Sequence, residues 1–142
     1  MAISNSIEVA ADPEATFARL ADLDNAGDWN VVHVDYPAGD PGPAEAGKSF
    51  KESVSLMGMP AEVEWTIETA DAPATLSMKG KGPMATTLSA TFTVASADGG
   101  GSTVTYESEF GGASIAAMVG PIETASKKAG DESLTKLRDL LA

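Results

Sequence analysis

The chain has 142 residues, no cysteine, and 21 acidic against 9 basic residues, which gives a formal net charge of −12. This length predicts a single domain, residues 1–142, that buries one hydrophobic core. The charge argues against nucleic acid as a partner, since Lys and Arg supply most affinity for phosphate, and the lack of cysteine excludes disulfides, thiol catalysis and thiolate metal sites.

The first thirty residues predict a strand followed by two short helices. Ile3, Ile7 and Val9 alternate with polar residues, as in a strand with one buried face. Asp12 followed by Pro13 predicts a helix start. The aspartate side chain accepts hydrogen bonds from the unpaired backbone N–H groups of the first turn, and proline has no N–H that would need a partner. We expect a second short helix or turn over residues 22–30.

The middle of the chain predicts about six strands in quick succession. The first covers residues 31–36, and a loop rich in proline and glycine follows it. Further strands are predicted at 49–57, 62–69, 75–79, 84–95 and 103–110. Strands this closely spaced indicate an antiparallel meander rather than βαβ units.

The last thirty residues predict a long helix with a weak beginning. Gly120 and Pro121 disfavour helix there, because glycine costs helix stability and proline lacks an amide donor. We therefore expect a separate short segment over 113–119 and a firm helix over 122–141. We expect a cavity beneath this helix, with Ile115 and Met118 of the short segment over its entrance. The small residues predicted to roof the cavity are Ala125, Ala129 and Gly130.

The order of elements, with the segment IEVAADPEATFARLADLDNAGDW at residues 7–29, resembles the START-like superfamily and, within it, the bacterial polyketide cyclase/dehydrase-like proteins. Phe17, Leu20, Asp24 and Trp29 are the matching residues of this segment. The resemblance implies an α+β helix-grip fold. In this fold a curved antiparallel sheet of about seven strands wraps round the C-terminal helix, with two short helices between the first and second strands and a cavity between sheet and helix. Such proteins include aromatase/cyclases, coenzyme Q-binding proteins and carriers of lipids, sterols or hormones.

Glu52 is the leading candidate for acid–base chemistry. It falls in register with apolar residues of its strand, so a regular strand points its carboxylate into the interior, which is costly without a partner. The alternative is a solvated strand end or a bulge that returns Glu52 to water. Tyr36 and Tyr106 are candidate proton donors, and each could equally be a core residue. The inward hydroxyl of Ser108 could meet a backbone carbonyl or a ligand.

His33, the only histidine, is predicted on the solvent-facing side of its strand. A histidine there is more often inert, and no cluster of Asp, His and Glu with metal-ligand spacing accompanies it. We therefore expect no metal site and no cofactor.

A tryptophan on a middle strand lines the cavity of related cyclases, and the resemblance assigns this place to Trp65. Those cyclases also carry an arginine deep in the pocket, whereas the corresponding strand here reads VEWTIET and the only arginines are Arg19 and Arg138. This difference argues against polyketide cyclisation. The complete set of predicted ligand-binding residues is Glu52, Val54, Leu56, Trp65, Met78, Met84, Leu88, Tyr106, Ser108, Met118, Ile122, Ala125 and Ala129.

These patterns predict a protein that binds a small hydrophobic molecule, such as a lipid, polyketide, quinone or aromatic metabolite. One alternative is an aromatase/cyclase-like enzyme that uses Glu52 with a tyrosine as proton donor. Another is an interaction module with a filled core, indicated by a cavity below roughly 300 Å³. Without a basic leader segment or a run of about 20 apolar residues, we expect a cytoplasmic protein with no integral membrane contact. The oligomeric state is left open.

Overall fold

The computed structural model describes residues 2–142, apart from the side chain of Ser114. Its strands form one antiparallel sheet in the order β1-β7-β6-β5-β4-β3-β2. The strands are β1 (Ala2–Val9), β2 (His33–Asp35), β3 (Ser49–Leu56), β4 (Met59–Asp71), β5 (Thr75–Lys81), β6 (Thr87–Ser96) and β7 (Ser102–Gly111). The helices are α1 (Pro13–Ala21) and α2 (Val119–Leu140), with short 3₁₀ segments at Leu23–Asp28, Pro83–Ala85, Asp98–Gly100 and Ala113–Met118.

The segment between β1 and β2 folds as its sequence predicts. The side chain of Asp12 accepts a hydrogen bond from the backbone amide of Ala15 at 2.8 Å, and Pro13 occupies the first turn of α1. The buried face of α1 carries Phe17 and Leu20. The predicted second short helix is the 3₁₀ segment Leu23–Asp28.

Buried and exposed side chains alternate along β4, so the strand has one buried face and one exposed face. Val63, Trp65 and Ile67 are buried, while Glu64 and Thr66 between them are exposed. Full burial of each such apolar side chain stabilises the fold by roughly 1.5–3 kcal/mol. The core therefore forms on one side of the sheet, where the helices cover it.

Helix α2 docks on β1 through a close approach at Gly130. The side-chain amide of Asn5 donates to the carbonyl of Lys127 at 2.9 Å and to Oδ1 of Asp131 at 2.7 Å. A Cβ added to Gly130 would lie only 2.7 Å from Cγ of Asn5. Glycine thus lets a polar residue of an edge strand lie directly against the helix, while Leu134 and Leu137 bury themselves one turn later.

Two predictions about the helix and the last strands need correction. Helix α2 begins at Val119 rather than at residue 122, because Pro121 lies in its first turn, where backbone amides need no partner within the helix. Strand β6 begins at Thr87 rather than at residue 84. Met84 and Ala85 have φ of 56° and 60°, and this left-handed backbone makes a turn instead of a strand.

Val34 is 56% exposed, although regular alternation with an outward His33 would put it on the inward face. The register of β2 against β3 shifts between His33 and Asp35, so side chains do not alternate regularly there. Within residues 2–142, no helix is both long and apolar enough to cross a membrane.

Candidate functional site

A cavity of about 150 Å³ lies between the concave face of the sheet and the helices. Strands β3 to β7 form its floor and walls, and the middle of α2 covers it with Ser126, Ala129, Gly130 and Ser133. The 3₁₀ segment Leu23–Asp28 and Trp29 close one side. The cavity is therefore where the fold predicts one, beneath the small residues of α2.

Most of the predicted ligand-binding residues line this cavity. They are Glu52, Val54, Leu56, Trp65, Met78, Leu88, Tyr106, Ser108 and Ala129.

Four predicted residues lie outside the lining. Met84 is 81% exposed in a turn, and Met118 is 37% exposed before α2 begins. Ile122 is buried and Ala125 half-buried, yet neither is part of the cavity wall.

Aromatic side chains dominate the lining. Of the two tryptophans, two tyrosines and four phenylalanines, all except Phe17 contact the cavity. Phe92 stacks on Tyr106 with ring centroids 4.5 Å apart and meets Trp29 edge-on at 5.7 Å. Tyr36 meets Phe50 edge-on at 5.9 Å. These pairs fix the rings and leave their remaining surface to the cavity.

Glu52 points into the cavity and is 7% exposed, which confirms its predicted inward direction. Nε1 of Trp65 donates to Oε1 of Glu52 at 3.0 Å. Nδ1 of His33 lies 2.7 Å from Oε2 of the same carboxylate. The indole N–H of Trp65, which donates, and Nδ1 of His33, which donates when the ring is protonated there, thus give partners on two strands to a buried carboxylate that would otherwise be costly.

The prediction that His33 faces solvent was wrong. Its side chain is 9% exposed, and its ring lies against Tyr36 with centroids 4.6 Å apart. The cause is the irregular register of β2, which breaks the alternation from which the outward direction was inferred. A sequence signal did exist: an inward Glu52 requires a buried donor, and a histidine on the neighbouring strand can supply one.

Trp65 lies across Gly80, its register partner on β5. A Cβ at Gly80 would come within 2.8 Å of Cε3 of Trp65 and 2.7 Å of Cγ1 of Val63. The missing side chain leaves room for the indole, whose N–H donates to Glu52. The value of Gly80 to the site follows from this pairing across the sheet.

The two tyrosines differ in what their hydroxyls do. The hydroxyl of Tyr36 donates to the carbonyl of Leu23, and burial together with the nearby Glu52 carboxylate raises its pKa. Burial raises the pKa of Tyr106 to about 12, although a hydrogen bond with Ser108 lowers it. Both hydroxyls therefore keep their protons at neutral pH. The hydroxyl proton of Tyr36 is already hydrogen-bonded to the backbone carbonyl of Leu23.

Two polar atoms of the lining have no hydrogen-bond partner among the residues described. They are Nε1 of Trp29 and Oγ of Ser126, both shielded from solvent. An indole N–H can only donate, so Trp29 offers an unused donor beside the cavity. Among the described residues, no group of three or more His, Asp or Glu is arranged to hold a metal ion.

The sequence matches the model of the polyketide cyclase/dehydrase and lipid transport family over residues 1–142. The chain belongs to this family. Its relatives include the uncharacterized protein Rv1546 of Mycobacterium tuberculosis, which is 30% identical over 128 residues, 87% of each protein. Toxin Rv0910 of the same organism is 27% identical over 127 residues, 89% of this chain and 88% of that protein.

The fold agrees with that of two solved structures. A START superfamily protein from Mycobacterium smegmatis superposes with a TM-score of 0.74 at 15% identity, covering 99% of both chains. KanY superposes with a TM-score of 0.76 at 18% identity, covering 99% of this chain and 97% of that one. The predicted helix-grip fold is confirmed.

The volume of about 150 Å³ distinguishes this cavity from larger binding sites. Pockets for drug-sized ligands are usually about 300–1,000 Å³, so the cavity falls below the limit of roughly 300 Å³ that separates a binding protein from an interaction module in the sequence analysis. By that limit the volume favours the interaction module, although the core is not completely filled. An apolar cavity of about 150 Å³ is enough for one benzene-sized ring.

Proposed function

We propose that residues 1–142 form one ligand-binding domain that takes up a compact hydrophobic molecule about the size of a single aromatic ring. The observation that carries this proposal is the cavity of about 150 Å³ under α2, lined by seven aromatic side chains. The unpartnered indole N–H of Trp29 supports a ligand that also carries an acceptor atom. A ligand that supplies that acceptor would remove the cost of a buried, unsatisfied donor.

The volume of the cavity favours one of the ligand classes that the sequence analysis names. Lipids, extended polyketides and quinones with long tails exceed the volume that holds about one ring. A single-ring aromatic metabolite fits it, and aromatic lining residues offer such a ring offset-stacked and edge-to-face contacts. We therefore propose an aromatic metabolite, bound in a protein that acts in the cytoplasm.

Binding without turnover is the favoured mode. No arginine lines the cavity within residues 2–142, and the hydroxyl of Tyr36 is engaged with the carbonyl of Leu23. A buried Glu52 does support a second candidate, an enzyme that removes a proton beside a carbonyl group. Deuterium exchange of acetophenone methyl protons, followed by NMR, tests it. Exchange faster than background that is lost in Glu52→Gln would establish the enzyme.

The binding proposal is tested by calorimetry with toluene and two leucine variants of α2. Ala129 lines the cavity and Ala125, about one turn earlier on the same helix, does not. Ala129→Leu should fill the cavity and abolish toluene binding. Ala125→Leu should bind as the wild type does.

Two results would reject the binding proposal. The first is that the wild type binds neither toluene nor phenol, which would favour an interaction module. The second is that both leucine variants bind toluene equally well, which would place the ligand elsewhere.

A further inference from the structure

Glu52 alone carries a charge among the described residues that line the cavity. No lysine or arginine faces it there. A ligand in the cavity therefore meets a single buried carboxylate within an aromatic wall. A carboxylate in this setting distinguishes ligands by whether they can donate a hydrogen bond.

The two partners of Glu52 keep it an acceptor. An indole N–H only donates, so Oε1 accepts from Trp65 at 3.0 Å. At Oε2, Nδ1 of His33 lies 2.7 Å away. In the neutral imidazole whose proton is on Nδ1, and in the imidazolium, that nitrogen donates to Oε2. In these forms both nitrogens donate to oxygens of the Glu52 side chain.

Lone pairs remain on Glu52 for a ligand. A carboxylate has about four acceptor positions, and His33 and Trp65 occupy two of them. Glu52 lines the cavity, so a donor on a bound ring can reach it. The hydroxyl of Tyr36 does not occupy these acceptor positions, because it donates to the carbonyl of Leu23.

Resting on the binding function proposed above, we propose that Glu52 selects aromatic ligands that carry a neutral hydrogen-bond donor, such as a phenolic hydroxyl, and rejects aromatic carboxylates. A hydroxyl donates to the buried carboxylate in a charge-assisted hydrogen bond. An anionic ligand would place a second negative charge beside Glu52 and would lose its hydration. His33 is a positioning residue that holds the Glu52 side chain in its orientation.

Two pairs of ligands matched in size test this selectivity by calorimetry. Phenol and toluene differ by a hydroxyl in place of a methyl group, and benzamide and benzoate differ mainly in charge. In the wild type, phenol should bind at least about tenfold more tightly than toluene, since hydrogen bonds to charged groups contribute about 1.5–3 kcal/mol. Benzamide should bind more tightly than benzoate.

The variants assign the selectivity to the carboxylate. In Glu52→Gln the preference for phenol over toluene should fall at least about fivefold, because a neutral acceptor forms a weaker hydrogen bond. His33→Phe should lower the same preference, and His33→Asn, which restores an N–H near Nδ1, should recover part of it. A merely structural effect of His33 would change the affinities for toluene and phenol together.

The outcomes separate this inference from the binding function. If toluene binds but phenol is not preferred, or the preference persists in Glu52→Gln, the inference is wrong and the binding function stands. If no ligand binds the wild type, the binding function fails as well. If Glu52→Gln does not fold, the wild-type affinities test the inference. Tighter binding of phenol than toluene and of benzamide than benzoate would support it, and the absence of either preference would reject it.

Discussion

Nδ1 of His33 lies 2.7 Å from Oε2 of Glu52, and this contact joins the edge strand β2 to the wall of the cavity. The side chain of each residue is only 9% exposed. The pair thus places the chain's one histidine directly behind Glu52, which among the described residues is the one charged side chain that lines the cavity. We expect both the stability of the fold and the proposed choice of ligand to depend on this contact.

Replacing His33 should cost far more than replacing a surface partner. His33→Phe keeps an aromatic ring beside Tyr36 but removes the donor to Glu52, and breaking a buried pair costs about 3–5 kcal/mol. We expect about 3 kcal/mol here, because Trp65 still donates to Glu52. The measurement is urea unfolding at neutral pH.

The matched control is Lys79→Met, which removes an exposed ion pair with Glu68. Its nitrogen lies 3.6 Å from the carboxylate, and the side chains are 69% and 48% exposed. Such surface pairs contribute less than about 1 kcal/mol. Equal losses in the two variants would mean that Glu52 is not buried with His33.

The indole N–H resonances of the two tryptophans report on the site in ¹⁵N NMR spectra. The indole N–H of Trp65 is hydrogen-bonded to Glu52, whereas that of Trp29 has no partner among the described residues. Trp65 should therefore show the more downfield indole proton. Glu52→Gln should shift the Trp65 resonance and leave that of Trp29 nearly unchanged. A large shift of Trp29 with none at Trp65 would contradict this assignment.

The raised pKa of Tyr106 predicts how the free energy of unfolding changes at high pH. Burial raises the pKa of Tyr106 from its ordinary value of 10 to about 12. A native pKa above the unfolded one means that the protonated form favours folding, so this contribution is complete below pH 10 and is lost as the pH rises towards 12. The free energy of unfolding should fall over this interval, and less steeply in Tyr106→Phe. Identical slopes would indicate that the hydroxyl of Tyr106 is not shielded from solvent in the native state.

Two glycines of α2 should respond oppositely to alanine. At Gly130 a Cβ would lie 2.7 Å from Cγ of Asn5, whereas at Gly120 it would meet nothing within 4 Å. Gly130→Ala should push α2 from β1 and destabilise the fold by about 1–3 kcal/mol, as overpacking does. Gly120→Ala should leave stability unchanged or raise it by up to about 1 kcal/mol. Thermal unfolding of both variants checks this, and a neutral Gly130→Ala would refute the close approach.

Local sequence patterns predicted the strands and helices, and the resemblance to the START-like superfamily predicted how they assemble into the helix-grip fold. Asp12 and Pro13 mark the start of α1, and the alternation around Trp65 marks the buried face of β4. The inward direction of Glu52 followed from the same alternation. These inferences succeeded because each relies on regular backbone, where periodicity determines direction.

The failures occurred where the backbone is irregular or the contact is distant. Alternation misplaced His33, because β2 has only three residues and shifts register against β3. Met84 was placed in a strand, yet its positive φ puts it in a turn. The roles of Gly80 and Gly130 depend on which side chain lies opposite, a pairing across the fold that no local pattern encodes.

The most direct test of the account is the location of a bound ring. Intermolecular nuclear Overhauser effects between phenol and methyl-labelled protein would report which methyl groups lie within about 5 Å. The account predicts contacts to Val63, Leu76 and Ala129, all of which line the cavity. Contacts confined to the exposed Met57, Met59 and Met84, with none to the cavity residues, would contradict it.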